Sequence, residues 1–145
     1  VYMEIGEYTQ AHRLYRQTLD IYEESGESEH AANARAKLAS VTWHEGCLEE
    51  ALTLADAALQ HLTDDKERGH MFIVKARVLS TDEEKVATAV DLYRQGLALL
   101  GENEHSKDVA EACYELGDLL MRLDRAGEAS PYLARAADLY RRLKG

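Results

Sequence analysis

Four alanines set the strongest constraint on what this chain can fold into. Ala11, Ala51, Ala89 and Ala129 recur at nearly even spacing, and each opens the same apolar pattern at offsets 3, 4, 7, 8 and 11. From Ala11 the set is Leu14, Tyr15, Thr18, Leu19 and Tyr22; from Ala51 it is Leu54, Ala55, Ala58, Leu59 and Leu62. From Ala89 it is Leu92, Tyr93, Gly96, Leu97 and Leu100; from Ala129 it is Tyr132, Leu133, Ala136, Ala137 and Tyr140. That spacing is one face of an amphipathic helix, written four times in register. A repeat of this length describes a unit that cannot bury its apolar face alone and must stack on its neighbours.

Upstream of three of these helices lies another helical stretch, at residues 29–44, 68–80 and 106–123. Each ends in a polar turn: Glu45-Gly46, Thr81-Asp82-Glu83, and Asp124-Arg125-Ala126-Gly127. Thr81 or Asp82 is placed to cap the helix that follows. Pro131 must fall near the first turn of the last helix, where its missing N–H costs little. There is a single proline in 145 residues, so long helices are permitted. The expectation is an all-α fold of about seven helices, a stack of antiparallel hairpins, with Val1–Ile5 as the tail of an eighth helix. The chain then forms one domain, 1–145, with a partial repeat at 1–25 and repeats at about 28–62, 66–100 and 105–144. It reads as a piece of a longer protein.

The repeats resemble the tetratricopeptide family, whose pattern is W-x2-L-G-x2-Y followed by A-x3-F. The last repeat gives Cys113-x2-Leu116-Gly117-x2-Leu120, then Ala129-x3-Leu133 and Ala136. The second gives Arg35-x2-Leu38-Ala39-x2-Thr42, then Ala51-x3-Ala55 and Ala58; the third gives Phe72-x2-Lys75-Ala76-x2-Leu79, then Ala89-x3-Tyr93 and Gly96. The partial first repeat keeps Ala11-x3-Tyr15-x2-Thr18. The resemblance covers nearly the whole chain and implies a right-handed superhelical stack. Ala39, Ala76 and Gly117 precede Ala51, Ala89 and Ala129 at an almost constant distance along the chain, so small side chains are expected where the helices of each hairpin touch. The period is near 40 rather than the family's usual value of about 34. Lys75 stands where leucine is usual, and the proline that commonly closes a repeat is absent.

Charge and motifs narrow the function. The net charge is −10, with 17 basic residues spread along the chain. This disfavours a nucleic-acid surface, where lysine and arginine must neutralise phosphates, and equally an anionic membrane. No apolar run approaches the ~18 residues of a spanning helix. Two cysteines, Cys47 and Cys113, are no disulfide framework, and a cytoplasmic location is expected. There is no phosphate loop, HExxH or GxSxG, so neither enzyme activity nor a cofactor is expected. Glu27-x-x-His30 and Glu102-x-x-His105 have the spacing of di-iron bundles, but they lie two hairpins apart along the chain. They read instead as inter-hairpin turns in which glycine ends one helix and Ser28 or Asn103 begins the next. His44-x-x-Cys47 lacks a second ligand pair. No metal site is expected. Cys113 reads as a small buried apolar residue.

In the family that the repeats resemble, the first helix of each hairpin lines a concave groove that holds a peptide. The resemblance places Asn33, Lys37, Ser40, Trp43 and His44 there from the second repeat. It adds His70, Ile73 and Arg77 from the third, and Glu111, Tyr114, Asp118, Met121 and Arg122 from the last. Trp43, the one tryptophan, lines the groove or packs against the next hairpin. The lysine–asparagine carboxylate clamp of chaperone-binding members is absent: its positions hold Ala36 and Ser40, Ile73 and Arg77, and Tyr114 and Asp118. Tyr132, Leu139, Tyr140 and Leu143 on the final helix form a candidate homodimer face. The expected function is a protein- or peptide-binding module, similar to the sensor or oligomerisation domains attached to bacterial regulatory proteins. The alternatives are self-assembly or a structural spacer, and, against the motif evidence, a metal-binding helical domain.

Overall fold

The computed structural model describes residues 5–144, so the helix tail expected at Val1–Ile5 falls almost wholly outside it. Seven α-helices follow one another: α1 (Ile5–Ser25), α2 (Ser28–His44), α3 (Leu48–Leu59), α4 (Asp65–Leu79), α5 (Val86–Leu100), α6 (Lys107–Arg122) and α7 (Ala126–Lys144). A short 3-10 turn, Glu83–Lys85, precedes α5, and the described residues contain no strand. α2 pairs with α3, α4 with α5, and α6 with α7 as hairpins; α1 lies on α2, α3 on α4, and α5 on α6. The result is an all-α stack of antiparallel hairpins.

One turn design recurs at three helix ends. Gly26, Gly46 and Asp124 have φ of +73°, +87° and +60°. In each case the next residue's N–H reaches the carbonyl five positions back: Glu27 to Tyr22, Cys47 to Thr42, and Arg125 to Leu120. This is the left-handed helix stop that leaves the last carbonyls satisfied. In the last turn Asp124 fills the glycine position, and Gly127 lies inside α7.

Three sequence expectations change here. Asp82 caps the short 3-10 turn and not α5, accepting from the Glu84 N–H at 3.0 Å, while α5 has Lys85 at its N-cap with no side-chain hydrogen bond. α6 begins at Ser106, which accepts from the Val109 N–H at 3.2 Å, and not at Asn103. Pro131 is the sixth residue of α7, past the first turn. The carbonyl it leaves without a donor, on Gly127, belongs to an exposed residue, so water can satisfy it.

Two apolar clusters fill the stack, and α4 belongs to both. Met71, Val74 and Val78 join the cluster of α1, α2 and α3, while Ile73 and Ala76 join that of α5, α6 and α7. Ala39, Ala51, Ala76, Ala89 and Ala129 are fully buried. In the α4–α5 hairpin the two backbones approach closely at Gly69 and Gly96: a Cβ on either would stand 2.8 Å from the backbone oxygen of the other.

Candidate binding groove

α2, α4 and α6 stand side by side as the first helices of their hairpins, and one arginine ties them together. Arg77, on α4, lays its guanidinium over the Trp43 ring of α2, 4.7 Å from the ring centre. Its Nε donates to Glu115 Oε1 on α6 at 2.7 Å, and Nη2 lies 3.9 Å from Glu111 Oε2 without a hydrogen bond of its own. Tyr93 of α5 donates its hydroxyl to the same Glu115 at 3.3 Å. Burial, reinforced by Glu115, pushes the Tyr93 phenol above its ordinary pKa. Trp43 is therefore half-buried, a platform beneath Arg77 with the His44 ring edge-on at 4.7 Å.

Beside this tie the helices enclose an open cavity of about 310 Å³, lined from α1 by Tyr8 and Tyr15, from α2 by Lys37, Ser40 and His44, from α4 by Glu67 and His70, and from α6 by Asp108. Tyr8 and His44 stack at 5.0 Å, nearly parallel. Burial, then the charge of Arg77, lowers the His44 pKa, which keeps the ring neutral at pH 7. His70 Nδ1 lies 3.1 Å from Asp108 Oδ2, and that hydrogen bond, helped by Arg77, holds the Asp108 carboxyl below the usual carboxylate range. Among the described residues, Lys37 and the Glu67 carboxylate make no ion pair or side-chain hydrogen bond.

The groove residues expected from sequence separate into three groups. Asn33, Lys37, Ser40, Trp43, His44 and His70 carry exposed or half-buried side chains on α2 and α4, and Glu111, Asp118 and Arg122 do so on α6. Ile73 is a correction: it is 2% exposed and packs onto Gly96 inside the α4–α5 hairpin. Arg77 is a second one, only 7% exposed beneath its partners and no open lining residue. Tyr114 and Met121 are exposed, but repeat equivalence gives that exposure another meaning. Tyr114 matches Ala36 and Ile73, both buried, and Met121 matches Trp43, which Arg77 covers. Both are open to solvent where their equivalents in the earlier repeats are covered.

The final helix behaves likewise. Leu139, expected on an oligomer face, is 2% exposed and belongs to the core, and Tyr132 packs against that core. Tyr140 and Leu143 remain exposed, whereas Leu62 and Leu100, the equivalents of Tyr140, are buried. The sequence pattern does not single out Glu67, Asp108, Glu115, Tyr8 or Tyr15 as groove residues. Glu115 occupies the repeat position of Lys37, which is the one signal that points to it.

Glu27 and His30 form an exposed 3.4 Å pair, and no group of three or more His, Cys, Asp or Glu residues among the described residues could hold a metal ion. Cys47 is exposed, Cys113 is buried, and both are free thiols. No described helix is long and apolar enough to cross a membrane.

No protein-family model matches the chain, and no curated protein matches it. Solved structures do. MamA is similar at 17% identity with a TM-score of 0.64, over 96% of this chain and 76% of that one. BtubC from P. vanneervenii is similar at 20% identity with a TM-score of 0.65, over 95% of this chain and 59% of that one. These likenesses establish a tetratricopeptide-like helical fold.

Proposed function

We propose that this chain is a protein- or peptide-binding module, not an enzyme, and that its partner lies along α2, α4 and α6. The observation that carries this reading is the open cavity on those helices, where Lys37 and Glu67 face solvent without an intramolecular partner among the described residues. Unspent charge beside aromatic rings is what a binding surface offers, and stacked-hairpin folds use such extended concave faces for recognition. A sensor or oligomerisation role within a larger regulatory protein fits the same surface, and two free thiols suit a reducing, cytoplasmic setting.

Selection from a displayed random-peptide library on the immobilised chain tests this. Enriched peptides should shift the amide resonances of Ser40, His44 and His70, and should bind the Lys37→Glu, His44→Ala variant at least about tenfold more weakly. A library that yields no enriched peptide, or only peptides that shift α7 alone, would remove the reading. Self-assembly is the second reading, favoured by the exposure of Tyr114, Met121 and Tyr140 at positions covered in the earlier repeats.

A further inference from the structure

We propose that the cavity lined by α1, α2, α4 and the start of α6 receives a lysine or arginine side chain of the bound segment, seated between the Tyr8 and Tyr15 rings and the Glu67 and Asp108 carboxylates. This rests on the peptide-binding reading and specifies the chemistry of its partner. Two carboxylates and one ammonium, Lys37, line the cavity, so its balance is negative. Alongside, Glu111 and Glu115 are matched by Arg77 and by Lys107, which lies 3.8 Å from Glu111, so no free cation from that cluster competes for the cavity. Aromatic faces attract cations through their quadrupoles, and the His44 ring stacked on Tyr8 adds no competing charge because its protonation is disfavoured.

The volume, about 310 Å³, is at the small end for ligand sites and suits one long side chain. Asp108 is already ionised and oriented by His70. Glu67 has no competing cation among the described residues, so neither carboxylate has to give up a strong ion pair. Lys37 sets the second half of the specificity. It opposes a run of basic residues and pairs with an acidic residue beside the seated cation.

The test uses ¹⁵N-labelled chain and four blocked peptides with the central pairs Arg-Glu, Arg-Arg, Glu-Glu and Leu-Leu, titrated to about 5 mM so that millimolar affinities register. The Arg-Glu peptide should shift the amides of Ser40, His44, Glu67 and His70. It should bind at least about tenfold more tightly than Glu-Glu and Leu-Leu, and more tightly than Arg-Arg. Glu67→Gln and Asp108→Asn should each remove most of that preference. Glu67→Gln breaks no pair among the described residues, so it keeps the test valid if Asp108→Asn lowers stability.

Equal or tighter binding of Glu-Glu, a preference that survives both variants, or no saturable shift from any of the four peptides would overturn the inference. The library selection separates the two ideas. Groove-binding peptides without a basic residue would sink this inference and leave peptide binding standing, whereas no enriched peptides at all would sink both.

Discussion

Gly96 and Gly117 both stand where the helices of a hairpin touch, but a methyl group would meet different obstacles at each. At Gly96 it would lie 2.8 Å from the Gly69 backbone oxygen and 2.8 Å from Ile73 Cγ1, and the backbone cannot rotate away. At Gly117 it would lie 2.5 Å from Leu133 Cδ2 and 2.6 Å from Leu133 Cγ, atoms of a half-buried side chain that can swing aside by changing rotamer. Alanine in a helix interior gains about 0.5–1 kcal/mol over glycine, while overpacking a fixed contact costs roughly 1–3 kcal/mol. Gly96→Ala is therefore expected to lower unfolding free energy by about 1–2 kcal/mol, and Gly117→Ala to stay within about 0.5 kcal/mol of the parent, both read from urea midpoints at unchanged slope. Equal losses at both sites would show that Leu133 is as immobile as backbone. The sequence singles out Gly117 because it aligns with Ala39 and Ala76. Gly69 falls at the repeat position of the buried Ala32 and Ala110, so a small residue is legible there too; what the repeats do not display is that its partner is the Gly96 backbone.

α4 is the element on which both apolar clusters and the three groove helices converge, and Arg77 is its link to α2 and α6. Helical periodicity places position 77 on the groove side, and Arg77 does point toward α2 and α6. Periodicity cannot show that a tryptophan lies below it and a carboxylate beside it, because those partners come from the preceding and the following repeat. The same limit applies to Ile73, where a polar-face assignment fails because the Gly69–Gly96 approach draws that face of α4 into the hairpin. Removing one partner of a buried pair strands the other's charge, typically costing about 3–5 kcal/mol. Glu115 keeps a third of its side chain in water, which lowers the expectation for Arg77→Ala to about 2–3 kcal/mol. Arg77→Met keeps contact with the Trp43 ring and should lose less, and Arg77→Met with Glu115→Gln less again. Thermal unfolding followed by Trp43 emission measures both the stability and the loss of the cation over the ring. A loss in Arg77→Ala no larger than the ~0.5 kcal/mol of an exposed ion pair would mean that the tie positions the helices without stabilising them.

Across the whole molecule, the same repeat position has different fates at the middle and the ends of the stack. Seven helices, their hairpin pairing and the small contact residues are legible because each recurs, and recurrence is what stacking imposes on a sequence. What recurrence cannot display is the difference between a covered copy of a position and an uncovered one. Tyr140 continues the stripe of Leu62 and Leu100 yet is 39% exposed, and Tyr114 continues that of Ala36 and Ile73 yet is 55% exposed. At the opposite end Leu14 and Ile21 of α1 are exposed as well. These are different surfaces, so two copies can join in two ways: like end to like end, closing as a dimer, or end to start, giving open chains. A few side chains cover well below the ~1,200 Å² of a standard stable interface, so any association is expected to be weak, with Kd of about 100 µM or above. Light scattering across a concentration series should show mass rising toward a dimer at the highest concentrations. Tyr140→Glu should return the chain to monomer and Leu14→Glu should leave the dimer intact, because the α6–α7 end carries the larger aromatic set. If Leu14→Glu also dissolves it, the copies join end to start, and mass should then climb past two chains as concentration rises. A constant monomer mass throughout would eliminate self-assembly of this chain, leaving Tyr114, Met121 and Tyr140 as the surface on which another helix of the same amphipathic design must be sought.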